Sequence, residues 1–284
     1  KRTLILMLVT LLAFSLVACD KGTTDTDTTA AETTAPNVAP SPSRDKNTEL
    51  SILFIGNSFT YYNDMPTEYF EPICTTAGYK VKVESITKGG YYLSKFADSS
   101  DEYGKLVDKA LKNNKYDVVI LQEQSGCPIA DRDRFFGGVR ALAKKVEANG
   151  AELYLYQTWG YKEGYSKLPS HGGTTKIMEM KLRAAYTAIA DEVGAKVALV
   201  GVAMLDVHTN ETIDLYRSDL FHPSKYGSAL AAYTLFATIF NEDPRALSFN
   251  CRLGAPIGKI LKDAAYSAAF SEHPVLDKYK ITIK

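Results

Sequence analysis

The 284-residue sequence is 45% hydrophobic and 23% charged, the proportions of an ordinary globular protein, and its formal net charge is zero. With 33 basic and 33 acidic residues and no basic face, it excludes nucleic acid as a partner class. Eighteen tyrosines and a single tryptophan suit a polar, sugar-like or peptide-like surface, although composition alone says no more than that.

Lys1-Arg2 leads into an apolar stretch, Leu4 to Val17, broken by Thr10 and Ser15 and ending in Leu16-Val17-Ala18-Cys19. A basic start, a short apolar core and small residues before a break describe a secretory signal. The run of about 14 residues is short for a membrane span. Its ending resembles a bacterial lipoprotein signal, in which Cys19 becomes the lipidated first residue. The expectation is a signal over 1–19 and a lipid anchor to the membrane at the extracellular face of the cell. An ordinary signal peptide, or an uncleaved anchor, is the alternative. Residues 20–48 are rich in Thr, Pro and Ser and nearly free of large apolar side chains, so they cannot bury enough surface to fold and read as a tether. The folded domain is expected over 49–284, long enough for one α/β unit with a sizeable core. Apart from Cys19, Cys74, Cys127 and Cys251 are an odd number with no zinc spacing, and no cysteine chemistry is read into them.

Taken in order, Leu50 to Ile55 is a continuous apolar strand of the kind buried on both faces of a parallel sheet. Helical spacing follows from Met65 to Ala77, with Pro66 early and Gly78 just beyond. A second strand runs over Tyr79–Ile86, then a Lys88-Gly89-Gly90 loop and a helix over Glu102–Leu111. Tyr116–Leu121 is a third strand ending at Gln122-Glu123-Gln124-Ser125. Arg132–Asn149 is a helix closed by Gly150, and Glu152–Tyr156 is a fourth strand. A polar loop from Trp159 to about Gly173 precedes a long helix, Thr174–Val193, closed by Gly194. Lys196–Val200 is the fifth strand. A loop carrying Asp219 and His222 follows, then a helix from Pro223 to about Phe240 and a last helix over Ile257–Phe270. Five alternations of strand and helix predict a parallel sheet covered by helices on both faces, with the functional site at the carboxyl ends of the strands.

Ser58 lies just past the first strand, where its hydroxyl is exposed beside backbone N–H groups; the plainer reading is a turn or cap residue. His222 is the only histidine with an acid placed to orient it. Asp219, three residues earlier, is positioned to accept from Nδ1 and leave Nε2 free, and the plainer reading is again a capped turn. Other patterns fail. There is no Gly-x-Ser-x-Gly elbow, Gly254 to Lys259 is one residue short of a P-loop, and no metal or cofactor spacing is present.

Gly56-Asn57-Ser58 after the first strand, with Asp219-Leu220-Phe221-His222 near the C-terminus, resembles the SGNH (GDSL-type) hydrolase family over about Leu50 to Phe240. The resemblance implies a flavodoxin-like three-layer sandwich with a central, mostly parallel five-stranded sheet. It implies Ser58 as nucleophile, His222 as base and then acid, Asp219 as orienting carboxylate, and no cofactor. The Ser58 N–H would be one oxyanion donor and Gly90 a second, with Gly89 as its alternative. The family's Gly-x-Asn-Asp is missing, and Gln124, or failing it Gln122, stands where the third donor would be. The expected activity is hydrolysis of short acyl esters on a small-molecule or oligosaccharide substrate, with the Trp159–Tyr165 loop lining a sugar site. The alternatives are a lipase or lysophospholipase-like hydrolase, and a binding lipoprotein that keeps the fold without turnover.

Overall fold

A computed structural model of the protein describes residues 41–210 and 213–282. The signal reading over 1–19, with Cys19, and the tether reading over 20–40 lie outside the described residues. Residues 41–48, expected to belong to the tether, are bonded to the folded domain. Ser43 N–H donates to Phe240 O at 3.0 Å, Arg44 Nε to Ile239 O at 3.1 Å and Lys46 Nζ to Ala77 O at 2.7 Å. Two of these acceptors are carbonyls in the last turn of a helix, which lack intrahelical donors and take them from whatever chain lies across them.

Five strands, β1 (Leu50–Gly56), β2 (Val81–Thr87), β3 (Val118–Leu121), β4 (Glu152–Tyr156) and β5 (Lys196–Ala198), pair in parallel in the order β2-β1-β3-β4-β5. The apolar run of β1 is buried because it faces two layers at once. Side chains alternate across a strand, so Ile52 and Phe54 join one core while Leu53 and Ile55 join the other. The first core is closed by α2 (Glu71–Thr76), α9 (Val200–Asn210), α10 (Lys225–Phe240) and α11 (Ala255–Phe270). The second is closed by α3 (Leu93–Ala97), α4 (Glu102–Asn113), α6 (Arg132–Asn149) and α8 (Thr175–Val193). Three short helices, α1 (Ser58–Tyr61), α5 (Cys127–Ala130) and α7 (Leu168–His171), sit in the loops beyond the strand ends. This is the expected α/β sandwich, and the chain changes direction between β1 and β3, where such sheets open a crevice at their carboxyl ends.

The long helices begin and end where the sequence pattern places them. Gly150 and Gly194 close α6 and α8 with φ of +88° and +68°, a left-handed conformation that costs glycine little. Two departures have physical causes. Val200, expected to end the fifth strand, and residues 201–210, expected as loop, form α9, whose Val200, Ala203, Met204 and Val207 recur at helical spacing and are buried in the first core. The helix expected from Met65 to Ala77 divides into a π-type turn, Pro66–Phe70, and α2, with Glu71 N–H donating to Pro66 O. Pro72 has no N–H to extend the regular ladder, and the bonding widens just before it. Cys74, Cys127 and Cys251 are buried free thiols that act as small apolar side chains.

Helix α3, short and unanticipated, follows the Gly89-Gly90 loop and packs tightly on α6. A Cβ at Gly138 would lie 2.6 Å from Ser94 N and 2.9 Å from Leu93 C, both backbone atoms that cannot turn aside. Gly138→Ala is therefore expected to lower stability by about 1–3 kcal/mol, read as a reduced urea midpoint at unchanged slope. An unchanged midpoint would contradict this close approach.

Candidate active site

The site is built where β1 and β3 end side by side. Their registers place Ile55 opposite Leu121, so Gly56-Asn57-Ser58 and Gln122-Glu123-Gln124 leave the sheet together. Gln122 is buried at 1% exposure and uses its amide to hold the serine turn. Its Oε1 accepts from Asn57 N–H at 2.9 Å and Thr60 Oγ1–H at 2.8 Å, and its Nε2 donates to Asn57 Oδ1 at 3.0 Å and to Glu123 O. Asn57 in turn caps α1 by accepting from Phe59 N–H at 3.2 Å, and its Nδ2 donates to Tyr91 O at 3.0 Å. Gln122, the fallback oxyanion donor, thus has both amide hydrogens committed within the core and braces the turn instead.

Ser58 stands at the first position of α1, 8% exposed, with its N–H given to no acceptor among the described residues. Its Oγ lies 2.9 Å from His222 Nε2, and His222 Nδ1 lies 2.8 Å from Asp219 Oδ2. The carboxylate can accept only, so Nδ1 carries the hydrogen and Nε2 accepts from the serine hydroxyl. Asp219 also receives the Phe221 N–H at 3.2 Å and the His222 N–H at 3.0 Å on Oδ1. Leu220 makes this possible by taking φ of +68°, which curls the loop around the carboxylate. Burial pushes the Asp219 carboxyl up, but the bonds from the His222 ring and the two N–H groups outweigh it and hold it below the ordinary carboxylate range.

Three further contacts fix the histidine loop. Trp159 Nε1–H donates to Phe221 O at 3.0 Å, Lys162 N–H donates to Leu220 O at 2.9 Å, and Asn63 Nδ2 donates to Pro223 O at 3.2 Å and Ser228 Oγ at 2.8 Å. Asn63 does so from φ of +56°, a conformation asparagine tolerates better than most residues. The His222 ring is stacked on Tyr62 at 4.2 Å between centroids, with Phe221 on its other flank at 3.9 Å. The remaining histidines are elsewhere. His171 bonds Lys167 O, His208 meets Glu163 Oε2 and His273 meets Ser267 O, each at 2.9 Å.

Above Ser58 and His222 is a cleft of about 340 Å³ lined by Tyr61, Tyr62, Gly89, Gly90, Gln124 and Tyr165 among others. Gly90 has φ of +70° in a turn closed by Tyr91 N–H to Lys88 O at 3.1 Å, the position where a type II turn calls for glycine. The N–H groups of Gly89 and Gly90 meet no acceptor among the described residues. Gln124 Oε1 accepts from Gly126 N–H at 3.2 Å and Cys127 N–H at 3.1 Å, and Nε2 donates one hydrogen to Ser125 Oγ at 3.1 Å. Its second amide hydrogen has no partner among the described residues. Of the loop expected to line a sugar site, Tyr161 and Tyr165 reach the cleft but Trp159 does not. Trp159 is fully buried and stacked on Phe59 at 4.1 Å and 3°, part of the floor beneath the nucleophile turn. Asn57 caps the helix as a turn residue of that type should, whereas Asn63 and Gln122 have positioning roles that the sequence reading does not anticipate. The only sequence signal was the unusual run of amide side chains at two strand ends.

An acyl-transfer class of site is defined by this geometry: a serine hydroxyl on an imidazole, the imidazole on a carboxylate, and uncommitted N–H groups facing the same cleft. A protein from Slackia heliotrinireducens assigned to the SGNH hydrolases is 30% identical, covering 68% of this chain and 100% of its own, with a TM-score of 0.59. The chain belongs to the SGNH hydrolase family and is a serine hydrolase. A DUF4886-family protein from Bacteroides uniformis is 20% identical over 83% of this chain and 98% of its own, at a TM-score of 0.68. An acetyl xylan esterase from Geobacillus stearothermophilus is 15% identical over 68% and 95%, at 0.51, and shares the fold. Neither a family model nor a curated protein matches the sequence.

Replacing Gln122 with leucine keeps its volume and strands the Asn57 N–H and the Thr60 hydroxyl without partners. Gln122→Leu is expected to cost about 2–6 kcal/mol of stability, since each of the two unsatisfied buried groups costs about 1–3 kcal/mol. Chemical denaturation reads it, and a loss below 1 kcal/mol would show that the brace is dispensable.

Proposed function

We propose that the protein is a serine esterase that removes short acyl groups, acetyl foremost, from a carbohydrate. The observation that carries this reading is the unbroken contact from Ser58 Oγ through the His222 ring to Asp219, at 2.9 and 2.8 Å, under a small tyrosine-lined cleft.

The geometry supplies each step. Ser58 Oγ attacks the ester carbonyl as its proton passes to His222 Nε2, and Asp219 stabilises the imidazolium through Nδ1–H. The tetrahedral oxyanion is met by the N–H groups of Ser58 and Gly90 and by the free amide hydrogen of Gln124. His222 then returns the proton to the leaving alcohol. Water, deprotonated by the same nitrogen, attacks the acyl–serine, releasing the acid and restoring Ser58. Asp219 stays ionised throughout the neutral range because its carboxyl is held below its ordinary value of 3.8. Its contribution is present above that value and is lost only as pH falls through the lowered one.

Support for a short acyl group comes from the cleft, whose volume of about 340 Å³ sits at the low end for small-molecule sites. Its tyrosine rings suit sugar faces. Acetyl xylan esterases share the fold, which accords with a carbohydrate ester. Lipidation at Cys19 would hold the domain at the extracellular face of the membrane, within reach of polymeric substrate. Palmitate labelling of the full chain in cells, lost in Cys19→Ser, tests that anchor.

On p-nitrophenyl acetate, Ser58→Ala should abolish turnover, and Gln124→Ala should lower kcat by about 10²–10³ with little change in KM, the usual loss for one oxyanion donor. Gln124→Ala with wild-type kcat would remove that donor from the mechanism. A p-nitrophenyl palmitate rate above the acetate rate would favour a lipase instead.

A further inference from the structure

Behind the cleft lies a carboxyl group that acyl transfer does not use. Glu123 is fully buried. Its Oε1 accepts from Leu93 N–H at 3.1 Å and Gln124 N–H at 2.6 Å, and its Oε2 accepts from Leu93 N–H at 3.3 Å. Leu93 opens α3, three residues after Gly90, and Gln124 lies in the loop after β3, three residues past its end. One side chain therefore ties together the two loops that carry the Gly90 and Gln124 donors.

The groups around it give no ion pair among the described residues. From α6 and its cap come Arg134 and Asp131, engaged with each other at 3.2 Å. From α5 comes the Cys127 thiol, and from α8 the Tyr186 hydroxyl, which accepts the Glu123 N–H at 3.4 Å. Burial drives the Glu123 carboxyl up from 4.5 to about 7, against the opposing pull of the two N–H donors and Arg134. An acid raised in this way destabilises the folded state as pH climbs from its ordinary value toward the raised one. A neutral side chain at this position would be the more stable choice.

We propose that Glu123 is a positioning residue whose ionised carboxylate clamps the β2–α3 loop to the β3–α5 loop and sets the spacing of the Gly90 and Gln124 oxyanion donors. The proposal rests on the esterase reading above. Ionised, both oxygens accept, and each amide is held by a charge-assisted bond. Protonated, the carboxyl loses its charge, the bonds from the Leu93 and Gln124 N–H groups become neutral and weaker, and the grip on both loops loosens. The two donor loops then drift by the fraction of an ångström that transition-state binding does not tolerate.

The test is Glu123→Gln beside wild type and Ser58→Ala, with p-nitrophenyl acetate kinetics from pH 5 to 9, thermal melts, and NMR of the Leu93 and Gln124 amides. Expected for Glu123→Gln at pH 8 are a kcat about tenfold lower, a KM within twofold and a Tm equal to or above wild type. In wild type both amide resonances should titrate together with a midpoint near 7, and in Glu123→Gln they should not. Unchanged kcat, or a kcat loss matched by a falling Tm, overturns the proposal, the second by making Glu123 a fold-holding residue. An inactive wild type sinks the esterase reading alone, and the amide titration then decides whether the clamp exists.

Discussion

The hydrogen bond from Asn57 N–H to Gln122 Oε1, 2.9 Å long and spanning 65 residues of sequence, is the constraint on which the site depends. It joins the two strand ends at the point where the sheet stops supplying partners. Beyond Gly56 the backbone N–H groups of β1 have no neighbouring strand to bond, and a buried N–H without an acceptor is costly. Gln122 supplies that acceptor from its side chain, and its amide hydrogens return to Asn57 and to its own neighbour's carbonyl. The serine turn is thereby fixed against β3 before any catalytic group is considered. The orientation of Ser58 Oγ follows from that brace and from the Asn57 cap on α1.

The histidine side of the site is held by different means. Asp219 and His222 form a local unit, bent by the left-handed Leu220 and tied internally by three bonds to one carboxylate. That unit is docked onto the sheet by Trp159, Lys162 and Asn63, which come from the loops after β4 and β1. The proposed nucleophile and base are thus held by two networks that meet at the 2.9 Å contact between them, at the Tyr62–His222 stack, and at Asn63, which follows the serine turn and bonds Pro223 O. The Phe59–Trp159 stack joins them as well, since Phe59 follows Ser58 and Trp159 Nε1–H donates to Phe221 O. The buried Glu123 costs stability as its carboxyl is driven up by burial, and it sits between the loops that carry Gly90 and Gln124.

The layers of the fold were legible because they rest on local rules. Apolar runs such as Leu50–Ile55 follow from burial on two faces, and Gly150 and Gly194 mark helix ends because only glycine closes them cheaply. That Ser58, Asp219 and His222 come together was legible for another reason: two short patterns at strand and loop ends resemble a known family. What escaped was whatever depends on register between distant segments. Gln122 looks like an oxyanion donor until β3 is set beside β1, and then its amide points into the core. Trp159 looks like a sugar platform until Phe59 is placed on it. Asn63 reaches a partner 165 residues away, which no spacing reveals. Helix α9 was hidden although its apolar spacing is regular, because it follows the apolar β5 with no polar break or capping residue between them.

The central claim is that Ser58 is a nucleophile activated by His222, and covalent capture tests it without knowledge of the natural substrate. The folded protein is treated with a fluorophosphonate, digested, and mapped by mass spectrometry, beside His222→Ala and Ser58→Ala. The account predicts one phosphonate on the peptide containing Ser58, formed orders of magnitude more slowly in His222→Ala and absent in Ser58→Ala. Labelling at another residue, or at Ser58 with equal speed in His222→Ala, would contradict it.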